Sequence, residues 1–372
     1  MKDDKKKTAL IIIGIVVAVT VIIVGYKIYD RNKSYSAYKV EYTTKTDENV
    51  DSQYCKFGQG IIRYNSDGIS YVSGGKEVWN HGFEVRNPVI DVCGDYVAIA
   101  DEGANEINIY GVDGKTYDVS TSYPVRAVEV SKQGVVAGLL GDDKASYIEV
   151  IAKDGTQIAI GRTVLEGDGY PISISLSDDA QKVVASYIAV ASGEAKTKVV
   201  FYNYSEVGKN ETDRIVGGFN DFDGTLVPDV EFVNSNTVAA FGDNMITIYT
   251  IDETPSVVKK IKIKKEIKSV VYNGKYICLV EEDNDNIKTS LVVYDMKGDK
   301  ILDKNISFTY TDIKMADESV LFYNDTECRM ISVKGVEKFR YKFGSGISSL
   351  LPLDDMKLVL SGSGNIQQIT LN

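Results

Sequence analysis

The feature that most constrains this chain is a repeat. A short strand of the form apolar, any residue, mostly apolar, then Tyr, Val or Ile occurs eight times. The copies are ISYV from Ile69, INIY from Ile107, IEVI from Ile148, VVFY from Val199, ITIY from Ile246, LVVY from Leu291, CRMI from Cys328 and IQQI from Ile366. Successive starts lie 38, 41, 51, 47, 45, 37 and 38 residues apart. Periods on this scale signal units that bury their apolar faces against their neighbours. A second strand precedes each copy, from GIIRY at residue 60 to KLVLS at residue 357. Several units open earlier still on a proline, as in PVIDV from Pro88, PVRAV from Pro124, PISIS from Pro171 and PDVEF from Pro228. Proline suits the first residue of a strand, where no ladder donor is lost. After the recurring strand comes a turn, VDGK at 112, KDGT at 153 or KGDK at 297, and then a fourth strand. Four short strands per unit, repeated around a ring, describe an all-β fold, a β-propeller. The count predicts eight blades, or seven if the weak first unit does not form its own sheet.

The last unit stops at Asn372, one strand short. The alternating segment YKVEYTTK, residues 38–45, is expected to supply the missing outer strand, because closure removes exposed sheet edges. Ahead of it, residues 9–25 form a continuous uncharged apolar run. With its flanks the run approaches the roughly 20 residues that cross a bilayer as a helix. The expected organisation is a basic cytoplasmic tail at 1–7, a transmembrane helix at 8–28, a linker at 29–37 and the propeller at 38–372. A cleavable signal peptide is the alternative, but the run is longer than a usual signal core and no small-x-small site follows it. Lysines and arginines on the two sides balance. The expected orientation puts the N-terminus inside, since long C-terminal domains are exported largely regardless of charge.

Net charge is -11, but residues 1–40 hold eight basic and three acidic side chains, leaving 34 basic against 50 acidic in the rest. A domain this acidic repels nucleic acid, which is excluded as a partner. Four scattered cysteines, Cys55, Cys93, Cys278 and Cys328, and a single histidine, His81, offer neither zinc spacing nor a His-dependent nucleophile. No metal site or cofactor is expected. The cysteines are either disulfides of an exported domain or buried free thiols. Oligomeric state has no signature in the sequence.

One motif argues for chemistry. The stretch FNDFDGTLVPD, Phe219 to Asp229, contains D-F-D-G-T-L, similar to the nucleophile loop of haloacid-dehalogenase-type phosphatases. That chemistry needs the first Asp at the end of a central parallel strand that is followed by a helix. The preceding residues are RIVGGFN and the next element is the Pro228 strand, so the context is missing. The repeat instead puts Asp221 and Asp223 in a loop between blades. In a propeller, loops from second to third strand and from fourth strand to next blade share one face, the usual ligand face. Here those loops carry Asp101, Glu102, Asp142, Asp143, Asp221, Asp223, Glu281, Glu282, Asp283 and Asp285. They form a candidate acidic binding face for a cationic partner segment or weakly held calcium; the alternative is that they only keep an exported domain soluble.

The unit YNSDGISYVSGGKEVW, residues 64–79, resembles the repeats of quinoprotein-like (WD40-like) propellers, with a D-G turn, a strand and a G-x-x-x-W ending. The chain lacks the adjacent-cysteine pair with which quinoprotein dehydrogenases hold their cofactor. The whole layout, including WNH and then NPVIDVCGDYV, resembles an uncharacterised family of membrane-anchored Gram-positive surface proteins, domain of unknown function 5711. The resemblance implies a fold and a location and no catalytic residue. The expectation is a single-pass cell-membrane protein with an extracytoplasmic propeller. Its role is expected to be non-enzymatic, binding a protein or cell-envelope partner, with a phosphatase-like hydrolase or a purely structural protein as alternatives.

Overall fold

The computed structural model describes residues 13, 15–21, 25, 32–46, 52–142, 144–191, 193–222, 224–283, 288–344, 346–362 and 364–372. Eight four-stranded antiparallel sheets follow one another along the chain. Blades 1 to 7 cover 53–82, 88–120, 125–163, 170–219, 229–262, 266–306 and 312–342. Blade 8 takes three strands from 349–371, and its outer strand is Tyr38–Lys45. That strand runs antiparallel to Asn365–Leu371, with Tyr38 opposite Leu371 and Lys45 opposite Asn365. First and last strands are thus hydrogen-bonded, and the ring has no open edge between its ends. This is an eight-bladed β-propeller.

Burial explains why the repeat is legible. Second and third strands are covered on both faces by neighbouring blades, as in Val136–Gly141 and Ser146–Ile151, where all twelve residues are buried. Fourth strands lie outermost and alternate, as in Gln157–Thr163. Each of the eight seams holds its own apolar cluster: Val128 and Ile107 in the seam of blades 2 and 3, Phe201 and Tyr249 in that of 4 and 5, Met330 and Ile369 in that of 7 and 8. Burying one such Val, Leu or Ile side chain is worth about 1.5–3 kcal/mol. The D-G turns between third and fourth strands need a left-handed residue, supplied by Gly114 at φ 81° and Gly155 at φ 85°.

Two irregular spacings have structural causes. The 51-residue interval contains a long hairpin in blade 4, Lys182–Ala191 with Glu194–Asn203, ten residues in each strand. It projects beyond its neighbours and carries Val190, 77% exposed. A one-turn helix, Leu165–Asp168, also falls in that interval. The 47-residue interval absorbs two 3-10 turns, Val207–Asn210 and Thr212–Arg214.

The expected tail at 1–7 lies outside the described residues, as does most of the expected helix at 8–28. Residues 15–21 are helical, and Ile15, Val16, Val17, Val19 and Val21 are exposed. Among the described residues, no helix is long and apolar enough to cross a membrane. The four cysteines are unpaired thiols, and burial pushes each up to about 12.

Candidate binding face and axial channel

Antiparallel order puts the second-to-third turns and the inter-blade loops on one face, here called the top. First-to-second and third-to-fourth turns lie on the bottom. The chain enters from the bottom. The Tyr35 amide donates to the Lys338 carbonyl at 2.7 Å, and the Lys33 and Lys338 ammonium groups lie 4.8 and 5.9 Å from the Tyr35 ring centre. A cavity of about 280 Å³ adjoins this contact, lined by Tyr35, Ser332, Lys334, Asp355 and Met356 among others.

Those acids read from the sequence that lie among the described residues reach the top face but do not converge. Asp101 Oδ1 accepts from the Arg86 and Asn87 amides at 3.0 and 2.8 Å, which ties down the loop between blades 1 and 2. Glu102 continues that turn through its backbone bond to the Asn87 carbonyl. Asp142 Oδ1 accepts from the Lys144 and Ala145 amides at 2.8 Å each, and these bonds hold its carboxyl below the usual range. Asp221 pairs with Lys260 at 3.0 Å, Glu282 with Lys268 at 2.8 Å and Asp283 with Lys265 at 2.9 Å. Glu281 is buried at the end of its strand, and desolvation raises its pKa. Asp143, Asp223 and Asp285 lie outside the described residues. Among the described residues, no group of three or more His, Cys, Asp or Glu could hold a metal ion.

The D-F-D-G-T-L loop is built into a seam. Phe222 and Val227 are buried in the cluster between blades 4 and 5, and Thr225 Oγ1 donates to Asn244 Oδ1 at 2.6 Å. The strand before it, Ile215–Phe219, is an outer strand paired antiparallel to blade 4. The geometry of a phosphatase nucleophile loop, which needs a central parallel strand, is therefore not present.

A second set of acids escaped the sequence reading. First strands of neighbouring blades touch around the axis, so every other side chain of each faces the channel. Asp91 of blade 2, Glu129 of blade 3 and Glu231 of blade 5 stand there, each between two apolar neighbours; Ser175 takes the corresponding place in blade 4. Three of the four accept an amide from the next blade. Asp91 Oδ2 takes Val130 N at 2.7 Å, the Glu129 carboxyl takes Leu176 N, and Ser175 Oγ takes Phe232 N at 2.9 Å. One free-edge amide in each of the inner strands of blades 3, 4 and 5 is thereby satisfied by the preceding blade. Desolvation dominates the electrostatics: it raises Asp91 to about 6 and Glu231 to about 8, and it raises Glu129 well above the ordinary carboxyl value. Mutual repulsion adds to the shifts of Glu129 and Glu231. A signal existed in the sequence, since VIDVC, AVEVS and DVEFV each put an acid inside an apolar inner strand.

The stapling stops at blade 6, whose inner strand, Glu266–Tyr272, carries Val270, Val271 and Tyr272 along this stretch. The inner strands of blades 5 and 6 pack least closely of all neighbours. A cavity of about 460 Å³ opens there on the top face. Its walls are Phe241, Ile267, Val270 and Tyr272 with Pro228 and Gly242, and its rim is Asp229, Asp243 and Glu266. The Phe241 and Tyr272 rings stack with centres 4.9 Å apart. Burial raises the Tyr272 hydroxyl, and the carboxylates of Glu231 and Asp229 raise it further.

The propeller is shared with solved structures of low sequence identity. BamB from Moraxella catarrhalis is 13% identical over 90% of this chain and 100% of that one, with a TM-score of 0.56. Sqt1 from Chaetomium thermophilum, solved bound to the N-terminus of the ribosomal protein L10, is 11% identical over 92% and 100%, with a TM-score of 0.52. At these identities the likeness is one of fold. No curated protein matches the sequence. A family model described as "Family of unknown function (DUF5711)" matches residues 31–371.

Proposed function

The chain belongs to the DUF5711 family of unknown function, and we propose that it is a membrane-tethered propeller that binds a protein or cell-envelope partner on its top face without catalysis. One observation carries the reading. The segment leading from the apolar N-terminal run is fixed to the bottom face through Tyr35 and enters blade 8 at Tyr38, so a tether on this side leaves the top face pointing away from it. The exposed Ile15, Val16, Val17, Val19 and Val21 support placing that run in a bilayer, with the N-terminus cytoplasmic and the propeller outside. The long blade 4 hairpin and the inter-blade loops then supply the partner-facing surface. Sqt1, which shares the fold, was solved with a protein segment bound.

The test is site-specific cross-linking in intact cells. A photo-reactive residue at Val190, on the hairpin, is expected to form protein adducts, and one at Gly74, at a bottom turn, is not. Adducts at Gly74 alone would reverse the assignment of faces; none at either position would leave a purely structural protein. Protease shaving of whole cells checks the side of the membrane, since a propeller protected until lysis overturns the proposed location.

A further inference from the structure

The cavity between blades 5 and 6 has the chemistry of a cation site. Its lining residues include three carboxylates, two stacked aromatic rings and no lysine or arginine. Its acids differ in how they are occupied. Glu266 is paired with Lys268 at 2.9 Å, and Asp229 accepts from Ser173 Oγ at 3.0 Å. The Asp243 carboxylate has neither a hydrogen bond nor an ion pair among the described residues, and it faces solvent at the rim. Deeper in, the Tyr272 hydroxyl also finds no partner among the described residues, although its burial is enough to raise its pKa strongly. Tyr272 is only partly buried, so its hydroxyl keeps access to the cavity, and Asp229 and Glu231 lie close enough to act on it.

We infer that this cavity receives a lysine or arginine side chain from a basic segment of a protein partner. The alkyl stem lies against Phe241, Ile267, Val270 and Tyr272, and the charged head meets Asp243 and Asp229 over the aromatic face. Charge complementarity fixes the class of occupant: an anion would face three carboxylates at the rim, only one of them paired with a lysine, and an uncharged apolar group would desolvate Asp229 without compensation. The site continues the top face described above, and the inference rests on reading that face as the partner-binding one.

The test uses the full-length chain in detergent and fluorescein-labelled hexalysine, followed by anisotropy. Hexalysine is expected to bind and hexaglutamate to fail. The Asp229→Asn, Asp243→Asn double variant is expected to weaken hexalysine binding about tenfold. A control double variant on the same face but away from the cavity, Glu102→Gln with Asp142→Asn, is expected to stay within about twofold of the parent. Thermal melting confirms that both variants are folded; if the cavity variant is not, Phe241→Leu, which keeps the acids and removes a ring, replaces it with the same expected direction. Equal losses in cavity and control variants would reduce the effect to the general field of an acidic domain and overturn the site. Spermidine binding as tightly as hexalysine would overturn the protein segment as its source. Failure of all peptides to bind, with cross-links at Val190 retained, would sink this inference and leave the proposed binding face standing; loss of both would sink the two together.

Discussion

The rim acids and the channel acids make opposite use of the same functional group. At the rim, Asp221, Glu282 and Asp283 are matched by lysines of blades 5 and 6 and of the loop between them. Asp101 accepts backbone amides of the loop between blades 1 and 2, and Asp142 accepts those of its own turn. The amide bonds to Asp142 hold its carboxyl below the usual range. In the channel, Asp91, Glu129 and Glu231 are withdrawn from water and set against one another, and each is raised above its ordinary value by desolvation. Density of acid in a loop is thus a poor guide to electrostatic strain.

The largest expected effect comes from completing the ring. Ser175 is buried and occupies the channel position between Glu129 and Glu231. Ser175→Asp would add a fourth carboxyl to a site whose acids are already raised by desolvation. Chemical denaturation at pH 8 is expected to show a loss of about 2–4 kcal/mol. An unchanged denaturation midpoint at that pH would mean the channel is solvated well enough to erase the contrast with the rim.

Next comes the pH dependence. A carboxyl that titrates at about 8 in the folded chain and at its ordinary value when unfolded keeps the folded state protonated across that interval. Stability therefore falls as pH rises from about 4.5 to 8, and the penalty is complete above it. Glu231→Gln removes the penalty. Its melting temperature is expected to lie close to the parent's at pH 5 and to exceed it by several degrees at pH 9, corresponding to about 4–5 kcal/mol at most. A difference that is the same at both pH values would place Glu231 in ordinary solvent.

Smaller effects separate charge from stapling at Asp91. Asp91→Ala leaves the Val130 amide without its acceptor and is expected to cost about 1–3 kcal/mol near pH 3.5, below the ordinary Asp value, read by melting. Asp91→Asn keeps an oxygen for that amide and loses the charge, so it is expected to lie within about 0.5 kcal/mol of the parent near pH 3.5 and above it at pH 8. If the Asn variant falls with the Ala variant, the staple depends on charge and not on the acceptor.

The architecture was legible because its signal is local and repeated. Second and third strands packed on both faces require nearly unbroken apolar runs, so INIY, VVFY and LVVY announce themselves, and the eight recurring strands all occupy third-strand places. The prolines at 88, 124, 171 and 228 mark inner strands for the same local reason. The site was less legible because it depends on pairs distant in sequence. Lys260 lies 39 residues from Asp221, and the Asp91 carboxyl meets an amide 39 residues on. The channel acids were also disguised by position. An acid inside a strand with apolar neighbours reads as the solvent side of an alternating pattern, whereas ring closure turns that side toward the axis. The cavity between blades 5 and 6 left no local trace, since it arises from looser packing of two inner strands.

The smallest expected effect is at the rim, and it tests the comparison from the other side. Asp221 is well exposed and its partner Lys260 partly so, with a separation of 3.0 Å. Exposed pairs of this kind contribute about 0–1 kcal/mol, because solvent screens the attraction and two long side chains must be held still. Asp221→Asn is expected to shift the melting temperature by no more than about one or two degrees at pH 5 and at pH 8 alike, and 0.5 M salt should abolish even that. A loss at pH 8 comparable to that from Ser175→Asp would mean that Asp221 holds the blade 4 to blade 5 loop in place through its bond to Lys260. The D-F-D-G-T-L stretch would then owe its aspartate to folding, with the buried Phe222 and Val227 as its partners in that role.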